Sequence, residues 1–189
     1  MKNTIFPVIL FAFAGLLFSS CSKDKTEPSS VANGFEATLN GKKTTFTVES
    51  AILYQSEDFD EKKLDIIAES TDKTVKFAIS FAQSPHTGDA MSVKNYLIQF
   101  AMNDDPATPD VNESEISFEG MMSYGKKVGS SYVFSGYRQQ GLITVSDCNE
   151  SSKTVSGTFS GKLIDLSDNT VVTITEGKFS QVKYTVIAG

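Results

Sequence analysis

From residue 34 onward, apolar and polar residues alternate with a period of two, and that rhythm constrains the fold more than anything else in the chain. Phe77, Ile79 and Phe81 alternate with Ala78 and Ser80; Tyr96, Ile98, Phe100 and Met102 with Leu97, Gln99 and Ala101; Ile116 and Phe118 with Glu115, Ser117 and Glu119. The same holds for Val155, Gly157, Phe159, Gly161 and Leu163, and for Val182, Tyr184 and Val186. Successive side chains of a strand point to opposite faces, so each run buries one face and wets the other, as antiparallel sheets do.

Turn residues fall between the runs. Asn40-Gly41 joins Phe35–Leu39 to Thr44–Val48, a strong short hairpin signal. Ser70-Thr71-Asp72-Lys73, Asn149–Lys153 and Ser167-Asp168-Asn169 separate later pairs, and Gly177 leads into Phe179–Val186. Ser84–Asp89 and Asn103–Asn112 read as loops. Phe59–Ala68 is the best helical candidate, with a single turn there ahead of a strand. The lack of crossover helices excludes parallel βαβ units. The expectation is an all-β domain over 34–189, an antiparallel sandwich of about ten strands, with a closed or partly open barrel as the alternative. Gly157 and Gly161 share a face with Phe159, and large aromatics from a facing strand are expected over the gaps.

The N-terminus obeys a different pattern. Lys2 precedes an apolar run from Ile5 to Phe18, 14 residues long. A membrane-spanning helix needs about 20, so residues 1–20 read as a cleaved signal peptide. Ser19-Ser20-Cys21 then resembles the processing site of bacterial lipoproteins. The resemblance implies that Cys21 carries lipid and becomes the first residue. It places the protein in the cell envelope, anchored to the outer membrane on its periplasmic side or at the cell surface. Residues 21–33 are polar with little to bury, and read as a flexible tether. Lys23-Asp24 resembles the export signals of Bacteroidetes surface lipoproteins.

The opening Phe35-Glu36-Ala37-Thr38-Leu39-Asn40-Gly41-Lys42 resembles a group of Bacteroidetes lipoproteins without established activity. So do Gly141–Val145, Val155–Gly161, Ile174–Phe179 and Val182-Lys183-Tyr184. That resemblance implies location and a β fold, and no chemistry.

The net charge of −6 becomes −7 once Lys2 leaves, which suits neither nucleic acid nor an anionic lipid surface as a partner. With Cys21 committed to lipid, Cys148 has no partner for an intramolecular disulfide and reads as a structural or incidental thiol. His86 is the only histidine and lies in a Pro/Gly loop, so neither a serine triad nor a zinc site is expected. No nucleotide-binding fingerprint occurs, and no cofactor is expected. Asp58, Asp60 and Glu61 form one acidic cluster; Asp104, Asp105, Asp110, Glu113 and Glu115 form another, and the loop Asp104–Asp110 is a candidate calcium ligand set. Tyr124, Tyr132 and Tyr137 flank a glycine-rich turn and are the candidate contacts for a ligand, with a glycan or a protein as the partner class.

These readings converge on a lipid-anchored envelope lipoprotein with a non-enzymatic β domain for binding or structure. A lipocalin-like carrier with an internal void lined by residues such as Phe77, Phe100 and Phe159 is one rival. A carbohydrate-binding or carbohydrate-active protein with two opposed carboxylates is the other.

Overall fold

The computed structural model describes residues 34–100, 119–134, 137–165 and 167–189, with backbone alone at 99, 100, 137 and 138. The expected strand at Ile116–Phe118, the loop Asp104–Asp110, the leader, Cys21 and the tether lie outside the described residues.

Eleven strands make up the described chain: β1 Gly34–Leu39, β2 Lys42–Ser56, β3 Glu61–Ser70, β4 Val75–Gln83, β5 Asn95–Phe100, β6 Gly120–Val128, β7 Ser131–Phe134, β8 Tyr137–Asn149, β9 Thr154–Asp165, β10 Val171–Lys183 and β11 Thr185–Ala188. They lie on one hydrogen-bonded path, β5-β8-β9-β10-β1-β2-β3-β4-β6-β7, with β11 beside β2. Every pairing is antiparallel except β11 with β2, which is parallel. The body is all-β and antiparallel, as the alternation required. Among the described residues it is a single sheet whose pairings do not close into a barrel.

The sheet is coiled so that its two halves face each other. Phe77 of β4 stacks on Phe159 of β9 at 5.5 Å, although five pairings separate these strands along the path. Phe35 joins them at 5.1 Å from Phe159 and 6.1 Å from Phe77. Such ring pairs add about 0.5–1.5 kcal/mol each beyond the area they bury. Side chains link strands from the two ends of the path. The Met122 N–H donates to Gln139 Oε1 at 2.7 Å, the Tyr96 hydroxyl to Gln83 Oε1 at 2.5 Å, and Lys94 pairs with Glu119 at 2.9 Å.

Local chemistry accounts for most boundaries. Asn40 and Gly41 both take positive φ, 48° and 80°, the primed turn that matches strand twist. The candidate helix at Phe59–Ala68 is instead the turn before β3 and β3 itself, whose buried residues Leu64, Ile66 and Ala68 alternate by two. The stretch 171–183 is one strand, β10, where two shorter ones were expected at Gly177. Bulges between Ile174 and Gly177 and between Phe179 and Val182, with Glu176 and Gln181 at positive φ, absorb the break in rhythm.

The glycines of β8 and β9 set how tightly the sheet coils. A Cβ at Gly157 would lie 2.1 Å from the Thr144 carbonyl oxygen and 2.4 Å from Phe179 Cζ. Phe179 is the cross-strand partner of Gly157 on adjacent β10, not a residue of a facing strand. Gly161 is covered from across the core, but by the Met122 methyl rather than an aromatic ring. The expected gap-filling occurs, with these two differences in who fills it.

Candidate functional site

Alternation that sends Gly141, Ile143, Phe159 and Leu163 inward sends their neighbours outward. Leu97, Gln140, Leu142, Ser160, Lys162, Thr173 and Thr175 therefore line an open groove of about 570 Å³ across β5, β8, β9 and β10. Leu97 and Leu142 are direct cross-strand partners and form its apolar strip. A second groove of about 340 Å³ shares Leu142 and Ser160 and continues past Thr144 and Thr158 to Glu36, Glu176 and Lys178. Glu176 is turned by its positive φ of 52° and accepts a 2.9 Å hydrogen bond from the Thr38 hydroxyl. Glu36 pairs with Lys43 at 3.1 Å. Hydroxyls, an amide and a short leucine strip can hydrogen-bond to a polar surface while covering a small apolar one.

The three tyrosines do not converge. Tyr124 is the cross-strand partner of buried Phe77, so it lies on the core face, where burial raises its pKa. Tyr132 pairs with Lys127 on the outer face. Its hydroxyl donates to Glu69 at 2.6 Å and lies 3.0 Å from the Lys73 carbonyl oxygen. The ammonium of Lys76 lies 4.9 Å from its ring centroid and that of Lys127 5.8 Å. The Glu69 hydrogen bond holds the phenol up to about 12. Tyr137 begins β8, opposite Asp165.

A polar cluster plugs one end of the coil, and its central residue escaped the sequence reading. Lys62 is only 5% exposed. Its ammonium donates to the carbonyls of Thr87 at 2.6 Å and Gly88 at 3.1 Å, pinning the loop over the core. Burial lowers its pKa; the carboxylates of Glu150 and Asp89 act the other way. Asp89 is held by Lys153 and by Gln55, and the Tyr184 hydroxyl donates to the Asp89 carbonyl at 2.5 Å. Cys148 accepts from the Met91 N–H at 3.3 Å, with its sulfur 3.6 Å from the Tyr184 oxygen. The signal that finds Lys62 is the phase of β3: it sits two residues before Leu64, on the inward face. His86, read as a loop residue, and Asp60, read as one of an acidic cluster, are paired: Nδ1 lies 2.8 Å from Asp60 Oδ1, and that contact lowers the Asp60 pKa.

No family model, no curated protein and no solved structure matches this chain.

Proposed function

We propose that this protein is a lipid-anchored lipoprotein of the cell envelope whose β domain binds a macromolecular partner through the groove on β5, β8, β9 and β10, without chemistry of its own. The observation that carries the binding half is where the space lies. Phe35, Phe77 and Phe159 stack at 5.1–6.1 Å inside the coil, while the groove with its Leu97–Leu142 strip opens to solvent. A carrier would need the opposite arrangement. The anchoring half rests on the leader and Cys21. The partner class is a glycan or a protein, since hydroxyl, amide and leucine contacts suit both.

Two measurements test the two halves. Intact mass of membrane-extracted protein should show loss of residues 1–20 and added acyl mass on Cys21; an unmodified cysteine overturns the anchor. A photo-crosslinking residue at Leu142 in intact cells should capture an envelope component, and one at Phe59, 82% exposed and lining neither groove, should not. A glycan array on the purified protein then separates the two partner classes. No adduct at Leu142, or equal adducts at both positions, overturns the groove.

A further inference from the structure

The outer face of the other half of the sheet carries an aromatic ring that the core does not use. Tyr124 points inward opposite Phe77, so alternation turns Gly125 outward, and Phe134 is its cross-strand partner on β7. A Cβ on Gly125 would stand 2.8 Å from Cε1 and Cζ of Phe134 and 3.0 Å from Cδ1. A point beyond the edge of a ring lies close to two carbons and far from the third, so three short distances put Gly125 under the ring's face. The ring therefore lies flat on the backbone of β6. Gly125 is buried beneath it, while Phe134 itself is 47% exposed. One face packs, and the other is open to water.

The ring has polar company. Tyr132 lies two residues earlier on β7, about 7 Å along the strand and on the same face. Lys76 and Lys127 hold their ammonium groups 4.9 and 5.8 Å from the Tyr132 ring centroid. Lys76 is also paired with Glu49 at 2.7 Å, and Glu69 accepts a hydrogen bond from the Tyr132 hydroxyl. Lys127 differs. It is exposed, and among the described residues no carboxylate pairs with it. It lies opposite Tyr132 and so diagonal to Phe134, a separation of roughly 7–8 Å that a lysine side chain can reach across. The face thus presents a flat apolar plane with one unneutralised cation beside it.

We infer that Phe134, Tyr132 and Lys127 form a second binding site, apart from the groove on β5, β8, β9 and β10, that takes a carboxylated sugar of a glycan. One face of a pyranose is a plane of C–H bonds made electropositive by the neighbouring oxygens, and it matches the negative face of the Phe134 ring. The sugar's carboxylate matches the Lys127 ammonium in a charge-assisted hydrogen bond. Its hydroxyls meet Tyr132 and Glu69 at the rim. A protein partner would anchor a side chain in a pocket, and a ring lying flat on backbone offers none. A nucleic acid would need a track of cations along its backbone, whereas this face has one free ammonium among the described residues. Glycine at 125 is what makes the plane, because any side chain there would lift the ring.

Titration of the purified full chain with oligosaccharides of galacturonate, alginate and hyaluronan, read by amide chemical shifts, tests the site. At least one should move the amides of Gly125, Lys127 and Phe134 at millimolar concentration, and its carboxyl-reduced form should bind more weakly. Phe134→Leu keeps an apolar side chain but removes the plane and should weaken binding about tenfold, whereas Phe134→Tyr keeps the plane and should bind like the parent. Lys127→Gln should flatten the dependence of affinity on salt. Phe59→Ala removes an exposed ring at the far end of β3 and should change nothing. No shift with any of the three sugars, equal binding of the reduced form, full binding by Phe134→Leu, or the same shifts from polyglutamate, which would mark a site for acidic peptides, overturns the inference. The shift map and the reduced sugar need no variant, so they decide the matter even where Phe134→Leu fails to fold by circular dichroism.

Discussion

Replacing Gly157 with alanine measures how much of this fold depends on one missing methyl. The added carbon would stand 2.1 Å from the Thr144 carbonyl oxygen and 2.4 Å from Phe179 Cζ. The ring can turn aside, since its far edge is the flexible end of a side chain. The carbonyl cannot, because it belongs to the β8–β9 ladder that pairs Thr144 with Thr158 and Val145 with Gly157. Overpacking of this kind costs about 1–3 kcal/mol, and the backbone displacement raises the expectation to roughly 2–4 kcal/mol. For a domain of this size that lowers Tm by roughly 5–15 °C. Thermal unfolding followed by circular dichroism, with urea titration for the free energy, reads it directly. Ser160→Ala, on the solvent side of the same strand, should stay within about 0.5 kcal/mol of the parent. Phe179→Leu in the Gly157→Ala background should recover only the ring's share, seen as a favourable coupling in a double-mutant cycle. A Gly157→Ala protein within about 0.5 kcal/mol of the parent would refute the claim that close strand approach requires glycine there.

Two further outcomes follow from the hydrogen-bonded turns. Asp72 accepts from the hydroxyls of Ser70 and Thr74, both at 2.7 Å, and from the Thr74 N–H, which holds its pKa well below the usual 3.8. A depressed carboxylate stabilises the fold above its unfolded pKa and loses that contribution as pH falls through the folded value. Stability should therefore decline less steeply below about pH 4 in Asp72→Asn than in the parent, and identical acid slopes would contradict the assignment. Tyr132 should ionise near 12 by ultraviolet titration, because Glu69 accepts its proton, and Glu69→Gln should bring that ionisation back toward 10. An unchanged titration in Glu69→Gln would show that the carboxylate is not the cause.

The chain's own rhythm determined the fold class, the position of most strands and the inward set Phe77, Ile79, Phe81, Tyr96, Ile98 and Phe159, because a period of two assigns faces without knowledge of neighbours. It also placed Asn40-Gly41 in a hairpin turn, since positive φ at both residues is a local demand. Folding decided everything that depends on which strand lies beside which. Alternation is blind to register and order, so it could not foresee β11 beside β2, a seam bridged by Gln139 and Tyr96, or Met122 over Gly161. Lys62 was visible in principle from its phase, but lysine composition reads as solvent, and only the carbonyls of Thr87 and Gly88 explain its place inside. The tyrosines near Gly129 looked like one surface because they are close in sequence. The pleat sends Tyr124 to the core and Tyr132 to solvent, and side-chain contact is settled by face and pairing, which distance along the chain does not encode.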